Sequence, residues 1–142
     1  MAPRFSIITP VYDPPLWALE ECIRSVLAQS YTDWEWCIAD DCSPNENVRA
    51  RLKRLVASDT RIKVEYRGQN GGIVAASNTA LSLATGEFVA LLDHDDSLTP
   101  DALRVIFEYI GIDPVVDYLY SDEDKIDQSG RRFDRFDKPD FA

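Results

Sequence analysis

Basic side chains are scarce in this sequence: its 142 residues include 15 Lys and Arg against 25 Asp and Glu, for a formal net charge of −10. A protein that binds along a nucleic-acid backbone needs clustered Lys and Arg to displace counterions. The charge balance therefore excludes a nucleic-acid partner. A phosphate ligand of so acidic a chain has to arrive with a cation.

Long apolar runs are absent as well. No stretch of about 18 apolar residues occurs, and residues 1–5 lack the order of charged, apolar and small residues that marks a signal peptide. We expect no transmembrane segment, a cytoplasmic location and a single domain over residues 1–142.

Cysteine is also rare. Cys22, Cys37 and Cys42 are odd in number and show no CxxC spacing, so the sequence indicates neither a disulfide framework nor a zinc site. We expect buried free thiols.

Short β-prone runs alternate with helical segments along most of the chain. The β-prone runs are residues 5–9, 34–39, 62–66, 88–92 and 118–120, and the helical segments begin near residues 16, 46, 73 and 99. This alternation predicts an α/β fold with a mainly parallel sheet and helices on both faces. Residues 88–92 are apolar throughout, which predicts a central strand covered on both faces.

Polar and glycine-containing segments follow the predicted strands. They are residues 9–13, 40–41, 70–72 and 93–96. Sheets of this class bind ligands at the carboxyl ends of their strands, so we expect one crevice to collect all four segments. Tyr12 is the aromatic residue that we expect to stack on a base, whereas Trp17, Trp34 and Trp36 should be packing residues.

The run Asp93-His94-Asp95-Asp96 places carboxylates so close together that their repulsion costs free energy unless a cation lies between them. Hard oxygen ligands suit Mg²⁺ or Mn²⁺, which complete their coordination with water and substrate phosphates. Such an ion neutralises a diphosphate leaving group. We expect His94 to act as a spacer.

Two other segments each allow two interpretations. Asp40-Asp41 either caps the helix that begins near residue 46 or provides a carboxylate that accepts a hydrogen bond from a base N–H. Asn70-Gly71-Gly72 is either a plain turn or a backbone approach to phosphate at a helix N-terminus. No GxGxxG or GxxxxGK[ST] fingerprint is present.

Five blocks together resemble the donor half of family 2 glycosyltransferases, which have the GT-A fold, a Rossmann-like α/β fold. The blocks are residues 6–12, 38–43, 70–72 with Asn78, 84–87 and 91–96. The resemblance implies a nucleobase pocket lined by Thr9, Pro10, Val11 and Tyr12.

The same resemblance assigns roles to the acidic residues. Asp41 would pair with the base, Asp93 would lie beside the ribose, and Asp95 would ligate the Mn²⁺ or Mg²⁺ ion with Asp96 nearby. Gly71 and Gly72 would belong to the nucleotide-binding residues.

The last part of the chain, residues 120–127, 130–132 and 138–141, resembles bacterial enzymes that build cell-surface polysaccharides, including rhamnosyltransferase-like members. This implies an inverting transfer from a UDP-, dTDP- or GDP-linked sugar to a saccharide or lipid-linked saccharide acceptor, at the inner face of the membrane. The family's acceptor-side half, with its general base, should follow beyond Phe141. The chain is thus expected to be a truncated GT-A domain.

Two rival hypotheses remain open. Asp93 and Asp95, with Ser97 or Thr99 downstream, partly imitate a haloacid-dehalogenase-like phosphatase, although that motif normally follows the first strand. Asp40-Asp41 on a doubly wound sheet suggests a receiver-like or metal-binding module, although its acidic pair should also follow the first strand rather than the second.

Overall fold

The computed structural model describes residues 2–112, 123–126 and 132–136. The strands in these ranges are β1 (Phe5–Val11), β2 (Trp34–Asp40), β3 (Ile62–Tyr66), β4 (Phe88–Leu91), β5 (Glu123–Ile126) and β6 (Arg132–Phe136). The helices are α1 (Leu16–Leu27), α2 (Glu46–Ser58), α3 (Ile73–Ser82) and α4 (Ala102–Ile112). The predicted strand at 118–120 lies outside the described residues.

The first four strands form one parallel sheet in the order β3-β2-β1-β4. A helix follows each of them along the chain, so the predicted α/β fold with a parallel sheet is confirmed. Val11 lies opposite Asp40 at the carboxyl ends of β1 and β2. β5 and β6 form a separate antiparallel pair.

Alternate residues of the strands point to opposite faces of the sheet, and each face carries helices. One face packs against α1, α2 and α4 through a large apolar cluster that includes Phe5, Ile7, Trp34, Trp36 and Ile38. The other face packs Ile8, Cys37 and Ala39 against Ala76 and Ala80 of α3. Helices therefore cover both faces, as predicted.

The prediction that residues 88–92 form a central, doubly covered strand is wrong for the described sheet, where β4 is an edge strand. Phe88 and Ala90 pack against the large cluster. Val89 and Leu91 point to the α3 face, and Leu91 is 80% exposed. The reason is that α3 lies over β1 and β2 rather than over β4.

Some of the Trp and Cys residues that we expected to be buried are buried, and others are partly exposed. Trp34 and Trp36 are buried, and full burial of a large apolar side chain contributes about 1.5–3 kcal/mol. Trp17 is 40% exposed on the first turn of α1, so its expected role in the core is wrong. Cys22 and Cys37 are buried free thiols, whereas Cys42 is half-buried.

A buried carboxylate holds the amino end of the sheet together. Glu35 accepts hydrogen bonds from the Ser6 hydroxyl and the Thr85 backbone N–H, both at 2.5 Å, and forms an ion pair with Lys63 at 2.7 Å. Burial alone would raise the pKa of Glu35, but the hydrogen bonds from Lys63, Ser6 and Thr85 lower it to about 2. This network lies at the opposite end of the sheet from the predicted site.

Within the described ranges, no helix has the length and apolar character needed to cross a membrane.

Candidate functional site

A cavity of about 490 Å³ lies at the carboxyl ends of the parallel strands. It collects predicted site residues from all four loops, namely Pro10, Val11, Tyr12, Asp41, Gly72, Asp93 and Asp95. Its wall also contains Asn70, Ile73, Ala76 and His94. The expected convergence of the loops on one crevice is therefore observed.

Three predicted site residues lie outside the cavity wall. Thr9 is fully buried, and its hydroxyl accepts a hydrogen bond from the Trp36 indole N–H at 2.8 Å, so it supports the wall from behind instead of lining it. Gly71 directs its backbone N–H at Asp41. Asp96 donates its backbone N–H to the Asp93 carbonyl in a turn.

The Asp41 carboxylate is buried and fully hydrogen-bonded. One oxygen accepts from Arg67 Nε and the Gly71 N–H, both at 2.9 Å, and the other accepts from the Gly72 N–H at 2.8 Å and Asn70 Nδ2 at 3.1 Å. Burial opposes ionisation, but these donors and the Arg67 charge hold the pKa of Asp41 below its usual value. Asp41 is therefore a carboxylate whose roughly four acceptor positions are all occupied.

These contacts decide between some of the interpretations that the sequence allowed for Asp41 and for residues 70–72. The N–H groups of Gly71 and Gly72 donate to Asp41, so they do not point at a phosphate. The helix-cap interpretation of Asp41 is wrong, because Asn45 caps α2 by accepting from the Asn47 N–H at 3.0 Å. The contact between Asp41 and a base stays a prediction.

The geometry of this loop bears on both of its glycines. A Cβ atom at Gly71 would lie 2.7 Å from Arg67 Nη2, which is closer than such atoms approach one another. Gly72 has a φ of 93°, a backbone conformation that favours glycine.

Arg67 is the residue that sequence reasoning missed. A single Arg after a strand is an ordinary surface pattern, and no motif marks it. The register offered a signal, because Asp40 lies opposite Tyr66 on neighbouring parallel strands and the next residues, Asp41 and Arg67, must therefore meet.

The acidic loop after β4 forms the other side of the cavity. Asp93, His94 and Asp95 line it, and His94 Nδ1 accepts a hydrogen bond from the Tyr12 backbone N–H at 3.2 Å. His94 thus joins this loop to the end of β1, which is more specific than the spacer role we expected.

The carboxylates of the acidic loop lie close together beside α1. The Cys22 thiol donates to the Asp93 carbonyl at 3.6 Å. Burial, together with the smaller effects of the negative charges of Asp96, Asp95 and Asp93, raises the pKa of Cys22 to about 12. The negative charges of all three carboxylates therefore act on the Cys22 thiol.

The carboxylate oxygens of this loop are ligands of the kind that divalent ions use. Among the residues that the structure describes, no group of three or more His, Cys, Asp or Glu side chains is arranged to hold a metal. Mg²⁺ and similar ions commonly use one or two carboxylates and complete their shell with water and phosphate oxygens. Asp93 and Asp95, which both line the cavity, would provide such carboxylates.

The profile of glycosyl transferase family 2 matches residues 6–138. The chain belongs to glycosyl transferase family 2. This assignment favours the transferase interpretation of the acidic loop over the phosphatase and receiver hypotheses.

Two family 2 relatives cover nearly the whole chain. The chain is 46% identical to the uncharacterized protein y4gI of Sinorhizobium fredii over 98% of its own length, and 35% identical to the O-antigen biosynthesis protein RfbC of Myxococcus xanthus over 99%. It spans only 15% and 11% of the lengths of these relatives.

Solved structures show the same fold. S. aureus TarS 1-349 in complex with UDP-GlcNAc is 28% identical, with a TM-score of 0.69 over 77% of this chain and 31% of that one. The mannosyltransferase PcManGT of Pyrobaculum calidifontis, in complex with GDP-Man and Mn2+, is 23% identical, with a TM-score of 0.66 over 78% of this chain and 33% of that one. The GT-A fold predicted for this family 2 chain is confirmed.

Proposed function

We propose that this chain is the donor-binding domain of a metal-dependent, inverting glycosyltransferase of bacterial polysaccharide biosynthesis. The observation that carries the proposal is the cavity itself, which has a hydrogen-bonded carboxylate, Asp41, on one side and an acidic loop, Asp93 to Asp96, on the other. A nucleotide-sugar has the same two ends: a base that forms hydrogen bonds and a diphosphate that needs a cation.

We assign the base end of the donor to the loops after β1, β2 and β3. Tyr12 lines the cavity with a half-exposed ring, which offers a face for stacking on a base. Asp41 and Asn70 carry the hydrogen-bonding groups beside it. Because Asp41 is already saturated, a base N–H that binds it has to replace one of its present donors.

The diphosphate end is placed at the acidic loop. Asp95 would hold Mn²⁺ or Mg²⁺ with Asp96 nearby, and Asp93 would lie beside the ribose. A bound ion there supplies charge neutralisation for the departing diphosphate. His94 keeps this loop attached to the end of β1.

The TarS structure with bound UDP-GlcNAc and the O-antigen biosynthesis relative RfbC support a nucleotide-sugar donor and a saccharide or lipid-linked saccharide acceptor. Inverting transfer also needs a base that deprotonates the acceptor hydroxyl. We assign no residue of this chain to that step, and we propose that the transfer takes place at the inner face of the membrane.

Calorimetry against UDP, dTDP and GDP, with and without Mn²⁺, tests the proposal. We expect one diphosphate to bind at least about tenfold more tightly with Mn²⁺ than without it, which corresponds to about 1.4 kcal/mol. Hydrolysis of a generic phosphate ester, without affinity for any of the three nucleotides, would instead favour a phosphatase.

A further inference from the structure

A buried serine joins the loops that follow β1 and β2. The Ser43 hydroxyl donates to Asp40 Oδ1 at 2.6 Å and accepts from the Asp13 backbone N–H at 2.9 Å, while the Ser43 N–H donates to Asp40 Oδ2 at 3.2 Å. Asp40 is fully buried and Ser43 is 1% exposed. The Ser43 hydroxyl therefore donates a hydrogen bond to Asp40 at the end of β2 and accepts one from Asp13 in the loop after β1.

Two further bonds run between the same loops. The Asn45 N–H donates to Asp13 Oδ1 at 3.0 Å, and the Asp41 N–H donates to the Val11 carbonyl at 2.8 Å. The loops after β1 and β2 are thus connected on both sides of Ser43.

The backbone in these loops is held in an unfavourable conformation. Asp13 has a φ of 47° and Cys42 a φ of 62°, and both lie in the left-handed region that residues with a Cβ rarely adopt. Such conformations persist where surrounding contacts fix them. Ser43 directly follows Cys42 and binds Asp13, so its bonds act on both positions.

Each of these two positions is next to a residue of the cavity. Asp13 follows Tyr12, and Cys42 follows Asp41. Neither Asp40 nor Ser43 lines the cavity, so the structure assigns them no contact with a ligand.

We infer that Ser43 is a positioning residue of the nucleotide site. Its bonds to Asp40 and Asp13 hold Tyr12 and Asp41 at the separation that a nucleoside diphosphate requires. The inference rests on the proposed nucleotide-binding function and adds to it a residue that acts on affinity without touching the ligand.

The chain contains a matched control for removing this hydroxyl. Ser6 is also buried, donates to the carboxylate of Glu35 at 2.5 Å and accepts from the Gly86 N–H at 2.8 Å, but it lies at the amino end of β1, away from the cavity. Ser43→Ala and Ser6→Ala therefore delete the same kind of bonds at opposite ends of one strand.

The probe is whichever of UDP, dTDP and GDP binds the wild-type chain most tightly with Mn²⁺, measured by calorimetry where unfolding curves show that each variant is folded. Both variants should lower the free energy of unfolding, but only Ser43→Ala should weaken nucleotide binding, by about tenfold. Ser43→Thr, which keeps the hydroxyl, should recover most of that affinity.

Equal affinity of the wild type and Ser43→Ala, or an equal loss in Ser6→Ala, would overturn the inference. If Ser43→Ala does not fold, Ser43→Cys decides, because its thiol is similar in size and forms only weak hydrogen bonds. Ser43→Cys should weaken binding about threefold, and unchanged affinity there contradicts the inference. If the wild type binds none of the nucleotides, the proposed function itself fails, and the inference fails with it.

Discussion

At the scale of single residues, the buried carboxylate of Asp41 connects stability with the candidate site. Asp41→Asn removes the charge that balances Arg67 and replaces one of the two acceptor oxygens by an amide donor, which then faces either the Gly71 N–H and Arg67 or the Gly72 N–H. We expect a loss of about 3 kcal/mol in the free energy of unfolding, measured by urea denaturation, together with weaker nucleotide binding.

A surface ion pair provides the control for that variant. Glu87 is mostly exposed and pairs with Arg4 at 2.7 Å, and Glu87→Gln should cost only about 1 kcal/mol or less, without any effect on nucleotide affinity. Equal losses of stability in the two variants would show that the Asp41 network is no more than an ordinary surface pair.

Glu35 gives the chain a predictable response to acid. Its pKa is about 2 in the folded chain against 4.5 for an unperturbed glutamate, so its contribution of about 3 kcal/mol is fully present above about pH 4.5 and is lost as the pH falls towards 2. The difference in unfolding free energy between wild type and Glu35→Gln, measured by urea denaturation, should therefore shrink from pH 6 to pH 3. A difference that stays constant over this range would contradict the assigned pKa.

At the scale of elements, the loop between β3 and α3 depends on the absence of a side chain. A Cβ atom at Gly71 would collide with Arg67, whereas a Cβ at Gly68 meets nothing within 4 Å. Gly71→Ala should displace Arg67 from Asp41 and weaken nucleotide binding several-fold, by about 1 kcal/mol. Gly68→Ala is its matched control and should bind nucleotide as the wild type does. Calorimetry on the two variants checks this, and indistinguishable affinities would argue against a role for the loop.

The strands and helices show which features of the fold could be predicted from the sequence. The alternation of β-prone and helical segments predicted the four parallel strands and the covering of both faces, because both depend on local patterns. The edge position of β4 within the described sheet was not predictable, because an apolar run indicates burial but not which helix provides it, and α3 lies over β1 and β2 instead.

The same limit applies within the site. Tyr12, Asp41 and Asp95 were predictable because each follows a strand in a block that resembles the family. The partner of Asp41 was not, because Arg67 belongs to no motif and is brought there by strand register alone. Thr9 was misplaced because alternation along β1 turns its side chain towards Trp36.

At the scale of the whole molecule, a net charge of −10 would repel a diphosphate unless a cation came with it. The donor and the metal should therefore bind cooperatively, each raising the affinity of the other by the same factor. The acidic loop is the place where this coupling would arise, because Asp93 and Asp95 both line the cavity.

The most direct test of this account is the affinity for the preferred nucleoside diphosphate as a function of Mn²⁺ concentration, compared between the wild-type chain, Asp95→Asn and Glu108→Gln. Glu108→Gln removes one negative charge from the exposed surface of α4, where it pairs with Arg104. We predict that Mn²⁺ strengthens nucleotide binding at least about tenfold in the wild type and in Glu108→Gln and has no effect in Asp95→Asn. Coupling that survives in a folded Asp95→Asn chain, or affinity in the wild type that does not depend on Mn²⁺, would contradict a metal-held diphosphate at this loop.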